Sequence, residues 1–276
     1  MVNEVAVVKN IPNHIGVTSS LAPIQAGSST TPEELMPDPG HINDTRWREL
    51  PDNLSSAALA RFDQNKCTIN LGISKRAMCS GLSLSWNAMI HEGKDHPTPY
   101  ASAERMRFLS SFEGVVHART VHNFYRSEHK FLLKFSSENP GISNAAMAGT
   151  SSLLQAAELN GLKLTPSLED RSMSDLPFLI VCKYSGRYRS VDEDALDLVG
   201  DAILSSRKGV MSIYSDDEAH SLGFSVSEDG REATLFDPNL GEFHIKSEAL
   251  KQTIESISDA NGMPLIGIQV FASRRR

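Results

Sequence analysis

The amino-acid sequence predicts an α+β fold, in which a helical half precedes a mostly antiparallel sheet. Apolar side chains recur at helical spacing in the first half of the globular region, and the second half contains short β-rich runs divided by turn residues. This grouping of the two kinds of element along the chain is typical of α+β folds. The chain has 276 residues, of which 40% are hydrophobic and 22% charged, so it has the composition of a globular protein.

Residues 1–45 differ in composition from the rest of the chain. They contain five of the 13 prolines, eight Ser or Thr residues and a single basic residue, Lys9. Such a stretch buries too little apolar surface to offset the entropy lost on ordering. We therefore expect a flexible leader over residues 1–45, followed by one folded domain over residues 46–276.

The helices are predicted from the spacing of apolar residues and from signals at the helix ends. Leu82, Trp86 and Met89 fall on one face of a helix that begins at Cys79. Asn160-Gly161 is a typical helix end. The predicted helical segments are residues 79–91, 101–112, 116–135, 144–160, 192–205 and 247–258.

Six β-rich runs predict the strands of the sheet, and one pair of them forms a clear hairpin. The runs are residues 177–182, 209–214, 219–226, 231–236, 242–245 and 265–271. Asp229-Gly230 is the two-residue turn that favours a β-hairpin. With this turn, Leu222 lies opposite Asp237, and His220 becomes the diagonal neighbour of Asp237 on the same face.

The hairpin thus places an imidazole beside a carboxylate at the rim of a core. A carboxylate that accepts a proton from the imidazole Nδ1–H fixes the histidine tautomer and stabilises the imidazolium, as in a catalytic triad. The same pair also occurs as a structural hydrogen bond at a sheet edge. The pairing of His220 with Asp237 leaves both interpretations open.

A nucleophile is available at the start of the first predicted helix. Cys79 lies there, where backbone N–H groups and the helix dipole favour a thiolate. We expect Ser80-Gly81 to allow a tight turn into the helix and to leave room for a substrate backbone. Combined with the histidine and the aspartate, the pattern predicts Cys79 as nucleophile, His220 as general base and Asp237 as the residue that orients the base.

Several other classes of function are disfavoured. The net charge of −7 argues against nucleic-acid binding, and no apolar run is long enough to cross a bilayer, so we expect no intrinsic membrane anchor. The three cysteines, Cys67, Cys79 and Cys182, have no C-x-x-C spacing, and His91 and His96 are one position too far apart for a zincin motif. No glycine-rich phosphate loop is present. We predict no cofactor and no metal.

Two segments resemble a known family. The segment from Cys79 to Trp86, CSGLSLSW, resembles the nucleophile segment of the YopT/AvrPphB group of type III secreted cysteine proteases. His220 with its strand and the run LFDPNLGEF, from Leu235 to Phe243, resemble the histidine and aspartate segments of that group. Over roughly residues 20–276 the chain is similar to the HopC-type effectors of bacterial plant pathogens.

The resemblance implies a papain-like fold and proteolysis of a host protein inside the host cell, in the host cytoplasm. It assigns Cys79, His220 and Asp237 as the catalytic triad. The leader then becomes the segment that a type III apparatus recognises, with a secretion chaperone as a candidate partner. No Gly-Cys pair precedes Cys79, so membrane targeting by self-processing and acylation is not expected.

One feature departs from the papain pattern. Papain-like enzymes supply a Gln or Asn side chain to the oxyanion hole a few residues before the cysteine. Here the fifth and sixth positions upstream hold Ser74 and Ile73, and the nearest upstream amide is Asn70. The alternatives to proteolysis are deamidation, transglutamination or acyl transfer by the same triad, and a host-protein binder with an idle triad.

Overall fold

The computed structural model describes residues 50–71, 78–135, 142–167, 179–180, 182–185, 188–215 and 218–276. The leader predicted over residues 1–45 lies outside the described residues. In these ranges the helices are α1 (Asp52–Ala57), α2 (Gln64–Asn70), α3 (Cys79–His91), α4 (Pro99–Ser110), α5 (Phe112–Phe135), α6 (Ile142–Glu158), α7 (Glu193–Ser206) and α8 (Leu250–Ala260), with a 3₁₀ turn at Ser247–Ala249.

The strands lie mostly in the second half of the chain, as the sequence predicts. They are β1 (Ala58–Arg61), β2 (Leu162–Pro166), β3 (Leu179–Ile180), β4 (Cys182–Ser185), β5 (Tyr188–Val191), β6 (Lys208–Tyr214), β7 (Ala219–Val226), β8 (Glu232–Asp237), β9 (Gly241–Lys246) and β10 (Gly267–Arg275). The fold is α+β, with the longer helices of the first half preceding the sheet.

Helix α3 has the bounds that the sequence predicts, whereas two later helices begin earlier than predicted because of polar caps. Thr98 Oγ1 accepts a hydrogen bond from the backbone N–H of Ala101, so α4 begins at Pro99. Ser111 Oγ accepts from the N–H of Gly114 at 3.1 Å, so α5 begins at Phe112. The short elements α1, β1 and α2 were not predicted, because they have too few residues to show a periodic pattern.

The main sheet that the structure describes has eight strands and is antiparallel at every pairing. The strand order is β1-β9-β8-β7-β6-β10-β2, and β3 also pairs with β10. In the hairpin of β7 and β8, Phe224 pairs with Leu235 and Val226 with Ala233. This is the register predicted from the Asp229-Gly230 turn.

The sheet separates two layers of helices because alternate residues of each strand face opposite sides. Leu235 belongs to the core that α7 and α8 cover, whereas its neighbour Phe236 packs with Trp86 of α3. In β6, Met211 faces the α7–α8 side and Val210 packs with Leu84 of α3. The central strands are therefore buried on both faces.

Helix α3 is surrounded by protein on nearly every side. Its buried residues include Leu82, Leu84, Trp86 and Ile90, which do not share one face. On the side away from the sheet, α3 contacts α5 so closely at Gly81 that a Cβ atom there would lie 1.9 Å from the carbonyl oxygen of Ala118. Gly81 therefore serves helix packing, and not the access of a substrate backbone that its position suggested.

No helix within the described ranges is both long enough and apolar enough to span a membrane.

Candidate active site

Cys79 is the first residue of α3, and this helix start is held against β7 by serine side chains. Ser80 Oγ lies 3.2 Å from Ser221 Oγ, and Ser83 Oγ donates to the carbonyl oxygen of Ser221 at 2.8 Å. Cys79 is 6% exposed. The first backbone N–H groups of a helix have no acceptor within the helix, so this position favours a negatively charged sulfur.

His220 stands on the strand that the serines contact and connects the cysteine to an aspartate. Its Nε2 atom lies 3.1 Å from Asp237 Oδ2, and both side chains are buried. The two residues share one face of the hairpin, as the register predicts. The carboxylate is contacted by Nε2 of His220 and not by the expected Nδ1. Nδ1 is therefore the ring nitrogen that remains for the hydrogen bond between His220 and the sulfur of Cys79.

The electrostatics of the buried site favour a thiolate–imidazolium pair. Burial alone would raise the pKa of the Cys79 thiol, but the hydrogen bond and charge of His220 and the N–H groups of Ser221 and Ser80 bring it below its usual value. Burial alone would lower the pKa of His220, but Asp237 and Cys79 together raise it to about 10. The proton is therefore held on the imidazole near neutral pH.

Asp237 is fully buried, and hydrogen-bond donors saturate its carboxylate. Oδ1 accepts from the backbone N–H groups of Asn239 at 2.6 Å and Leu240 at 3.2 Å. Oδ2 accepts from Asn261 Nδ2 at 2.8 Å and faces His220 Nε2. Two partners on each oxygen fix the plane of the carboxylate.

An amide side chain that the sequence did not identify contacts the residue directly before Cys79. Gln64, at the start of α2, is buried, and its Oε1 accepts from the backbone N–H of Met78 at 2.7 Å. Gln64 lies too far upstream of Cys79 for the usual papain spacing, so nothing in its local sequence singled it out. Ile73 and Ser74 lie outside the described residues, and within them the backbone N–H of Cys79, at the start of α3, is a candidate oxyanion donor.

A cavity of about 330 Å³ lies at the opposite end of β7 and β8 from His220. Two pairs of its lining side chains are in contact: Lys208 lies 2.9 Å from Asp95, and His244 lies 3.4 Å from Glu232. It contains none of the predicted catalytic residues. Within the described ranges, no group of three or more His, Cys, Asp or Glu side chains is arranged to hold a metal ion.

A buried helix that opens on a cysteine and packs against an antiparallel sheet carrying a histidine and an aspartate is the architecture of papain-like cysteine proteases. The fold matches the crystal structure of the Pseudomonas avirulence protein AvrPphB with a TM-score of 0.54 at 19% identity, over 80% of this chain and 99% of that one. The family model Peptidase_C58, described as the Yersinia/Haemophilus virulence surface antigen, matches residues 53–263. The chain belongs to this family.

A curated relative is much more similar in sequence. The chain is 68% identical over 264 residues to the "Probable cysteine protease avirulence protein AvrPpiC2" of Pseudomonas syringae pv. pisi, which covers 96% of this chain and 98% of the relative. The family and this relative together identify the chain as a papain-like cysteine protease.

Proposed function

We propose that the chain is an endopeptidase effector in which Cys79 is the nucleophile, His220 the general acid and base, and Asp237 the residue that orients the histidine. One observation carries the proposal. His220 lies hydrogen-bonded between Cys79 and Asp237 in a buried site, where the aspartate favours the imidazolium and the imidazolium favours the thiolate. The predicted register of the hairpin supports the pairing of His220 with Asp237 independently of the family.

In the acylation step, the thiolate of Cys79 attacks the carbonyl carbon of the scissile peptide and forms a C–S bond. The carbonyl oxygen becomes an oxyanion, which the backbone N–H of Cys79 stabilises at the positive end of α3. His220 then gives its Nδ1 proton to the leaving nitrogen as the C–N bond breaks. The amine product leaves, and the acyl group remains on the sulfur as a thioester.

In the deacylation step, neutral His220 takes a proton from a water molecule that attacks the thioester carbonyl. The C–S bond breaks, the carboxylic acid product leaves, and the thiolate–imidazolium pair is restored. Asp237 keeps Nε2 of the histidine hydrogen-bonded, so that Nδ1 is always the nitrogen that exchanges the proton.

The substrate that we propose is a host protein in the host cytoplasm. The chain reaches this substrate after a type III system has delivered it into the host cell. The relative at 68% identity is named an avirulence protein of a plant pathogen, which supports a role inside the plant cell. We assign the delivery signal, and the binding site for a secretion chaperone, to the leader over residues 1–45. Deleting residues 1–40 is expected to leave the melting temperature and proteolysis in vitro unchanged and to abolish delivery; a large fall in melting temperature would contradict this assignment.

The test of the proposed function is the mapping of new protein N-termini in host cells. Cells that express the wild-type chain are compared with cells that express Cys79→Ala, and we expect new N-termini in one or a few host proteins with the wild type only. Mass shifts of about 1 Da in uncleaved host proteins would instead indicate deamidation, and larger additions would indicate acyl transfer. A host phenotype that survives Cys79→Ala would indicate a binder with an idle triad.

A further inference from the structure

Three amide side chains form a continuous hydrogen-bonded chain between the two ends of the site, which we call the amide relay. It consists of Gln64, Asn239 and Asn261. Gln64 Oε1 accepts from the N–H of Met78, and Gln64 Nε2 donates to Asn239 Oδ1 at 2.6 Å. Asn239 Nδ2 donates to Asn261 Oδ1 at 2.7 Å, and Asn261 Nδ2 donates to Asp237 Oδ2 at 2.8 Å. The relay thus joins the residue before the nucleophile to the carboxylate.

We propose that Asn261 is a positioning residue for the proposed triad, and that the amide relay holds the Asp237 carboxylate and the backbone before Cys79 as one unit. This inference rests on the proposed function. Asn261 does not contact the reacting atoms. It acts through the carboxylate of Asp237, to which His220 is hydrogen-bonded.

The geometry of Asn261 suits this role because both ends of its amide are fixed. Its Nδ2 atom also donates to the carbonyl oxygen of Ile257 at 2.9 Å, in the last turn of α8. One hydrogen of the NH₂ group is therefore bonded at a helix end, and the other is bonded to Oδ2 of Asp237, the oxygen that also faces His220. Two donors that converge on one oxygen from different elements define where that oxygen can lie.

The chemistry of Asn261 requires an amide. Its NH₂ group donates to Asp237 and to the carbonyl oxygen of Ile257, while its Oδ1 accepts from Asn239. A hydroxyl or a neutral imidazole has a single donor hydrogen and cannot satisfy all three neighbours, whereas an amide can. A carboxylate in place of Asn261 would lie at hydrogen-bond distance from the carboxylate of Asp237 and repel it.

Asn261 affects the reactive pair through Asp237, whereas the far end of the relay contacts the backbone N–H of Met78. The described titratable groups that interact electrostatically with Cys79 or His220 are these two residues themselves, Asp237 of β8 and Tyr125 of α5. The amides of the relay carry no charge. A change in the reactivity of Cys79 after substitution of Asn261 therefore reports on how well the carboxylate holds the imidazolium.

The test measures the rate at which iodoacetamide alkylates Cys79 between pH 4 and pH 10, followed by mass spectrometry. Asn261→Leu is compared with the matched control Asn53→Leu. The native Asn53 of α1 is half-buried like Asn261, and its amide donates to Ser256 Oγ of α8 at 3.0 Å without reaching Asp237. We expect Asn261→Leu to move the midpoint of the profile upward by about half to one pH unit, which slows alkylation about 3- to 10-fold at pH values below the midpoint. Asn53→Leu is expected to leave the profile unchanged.

A purely structural role would lower the melting temperature of Asn261→Leu without moving the midpoint, and a superimposable profile overturns the proposal. Where Asn261→Leu does not fold, Asn239→Ala carries the test. This variant breaks the relay but keeps the hydrogen bond from the backbone N–H of residue 239 to Asp237, so we expect a smaller upward shift of the midpoint. An unchanged midpoint overturns the proposal.

His220→Ala, measured in the same assay, separates this inference from the proposed function. If His220→Ala leaves the midpoint unchanged, the ion pair behind the proposed function is wrong. If His220→Ala raises the midpoint and the relay variants do not, only the inference about Asn261 fails.

Discussion

Trp86 stacks on Phe236 with ring centroids 5.7 Å apart and planes inclined by 12°. Trp86 lies two turns beyond Cys79 on α3, and Phe236 directly precedes Asp237 on β8. The stacked rings therefore tie the helix of the nucleophile to the strand of the carboxylate. Gly223 of β7 makes the contact possible, since a Cβ atom there would lie 2.5 Å from Cε3 of Trp86.

The first prediction concerns the opposite side of α3. Gly81→Ala would bring a methyl group to 1.9 Å from the carbonyl oxygen of Ala118, which is backbone and cannot rotate away. We expect α3 to shift, with a loss of about 1–3 kcal/mol in the free energy of unfolding and slower alkylation of Cys79. Urea unfolding and the alkylation rate measure the two effects.

Gly200→Ala is the matched control for this prediction. Gly200 also lies inside a helix, α7, but nothing lies within 4 Å of the Cβ position. Replacing a helical glycine by alanine then stabilises a protein by up to about 1 kcal/mol. Equal effects of the two substitutions would show that close packing at Gly81 does not determine the position of α3.

The parts of the site that the sequence reveals are those with local signals. The Asp229-Gly230 turn and the alternation of apolar residues determine which face of the hairpin His220 and Asp237 share, because hairpin register depends on residues near one another in the chain. Cys79 is recognisable because it begins a strongly apolar helix. These three residues need no knowledge of distant contacts.

The amide relay could not be predicted in this way. Gln64 contacts Asn239, which is 175 positions away, and Asn261 reaches Asp237 from the end of another helix. Amides are common in loops and helix ends, so only the folded chain shows which of them meet. Of the three relay residues, Asn239 alone lies in a segment that the sequence singles out, the LFDPNLGEF run. The role of Gly81 was misjudged for the same reason, because its close neighbour belongs to α5.

The second prediction compares two cysteines of the same chain. Burial and the nearby Asp63 carboxylate raise the pKa of Cys67 to about 11, whereas the pKa of Cys79 lies below the ordinary 9.0. A gap of at least about two units between the two pKa values makes the thiolate fraction of Cys79 at least about 100-fold larger at pH 7. We expect iodoacetamide to label Cys79 at least about 100-fold faster, as measured by peptide mass spectrometry on the folded protein. Equal rates at the two thiols would contradict the assignment of Cys79.

The pH dependence of stability follows from the directions of the pKa shifts of Cys79 and His220. The lowered pKa of Cys79 contributes stability that is lost as the pH falls through that value, when the thiolate gains a proton. The raised pKa of His220 contributes stability that is lost as the pH rises through about 10, when the imidazolium loses its proton. Cys79→Ala is therefore expected to destabilise the protein most between these limits, as urea unfolding at several pH values would measure. If the difference in the free energy of unfolding between the wild type and Cys79→Ala grew steadily toward low or high pH, the ion pair would be excluded.

The third prediction is that Asp237→Asn lowers the activity by about 10³- to 10⁴-fold while the protein still folds. The two oxygens of Asp237 accept two donors each, so an amide in this place turns its NH₂ group toward one pair of donors. Either the backbone turn or His220 then loses its acceptor. Alkylation of Cys79 at pH 6 measures the effect on the ion pair, and circular dichroism checks the fold. Undiminished reactivity would remove Asp237 from the triad.

The last prediction concerns a buried ion pair away from the proposed triad. Arg105 of α4 places Nη2 at 2.6 Å and Nε at 2.9 Å from Oε1 of Glu242 on β9, and both side chains are almost fully buried. Arg105 Nη1 also donates to the carbonyl oxygen of Lys94 at 2.5 Å. The pair therefore joins α4, the end of the sheet and the loop that follows α3.

Removing one partner of this pair leaves a charge buried without compensation, which costs about 3–5 kcal/mol, whereas removing both restores part of the loss. We expect Arg105→Met to lower the free energy of unfolding by that amount and the double variant with Glu242→Leu to be more stable than Arg105→Met alone. Lys94→Met is the control, because its pair with Glu92 at 3.5 Å is exposed and such pairs contribute about 0–1 kcal/mol. Urea unfolding of the wild type, Arg105→Met, Glu242→Leu and the double variant completes a double-mutant cycle, and Lys94→Met is measured beside it. Strictly additive losses would show that Arg105 and Glu242 stabilise the fold separately, through packing and the contact with Lys94, and not as an ion pair.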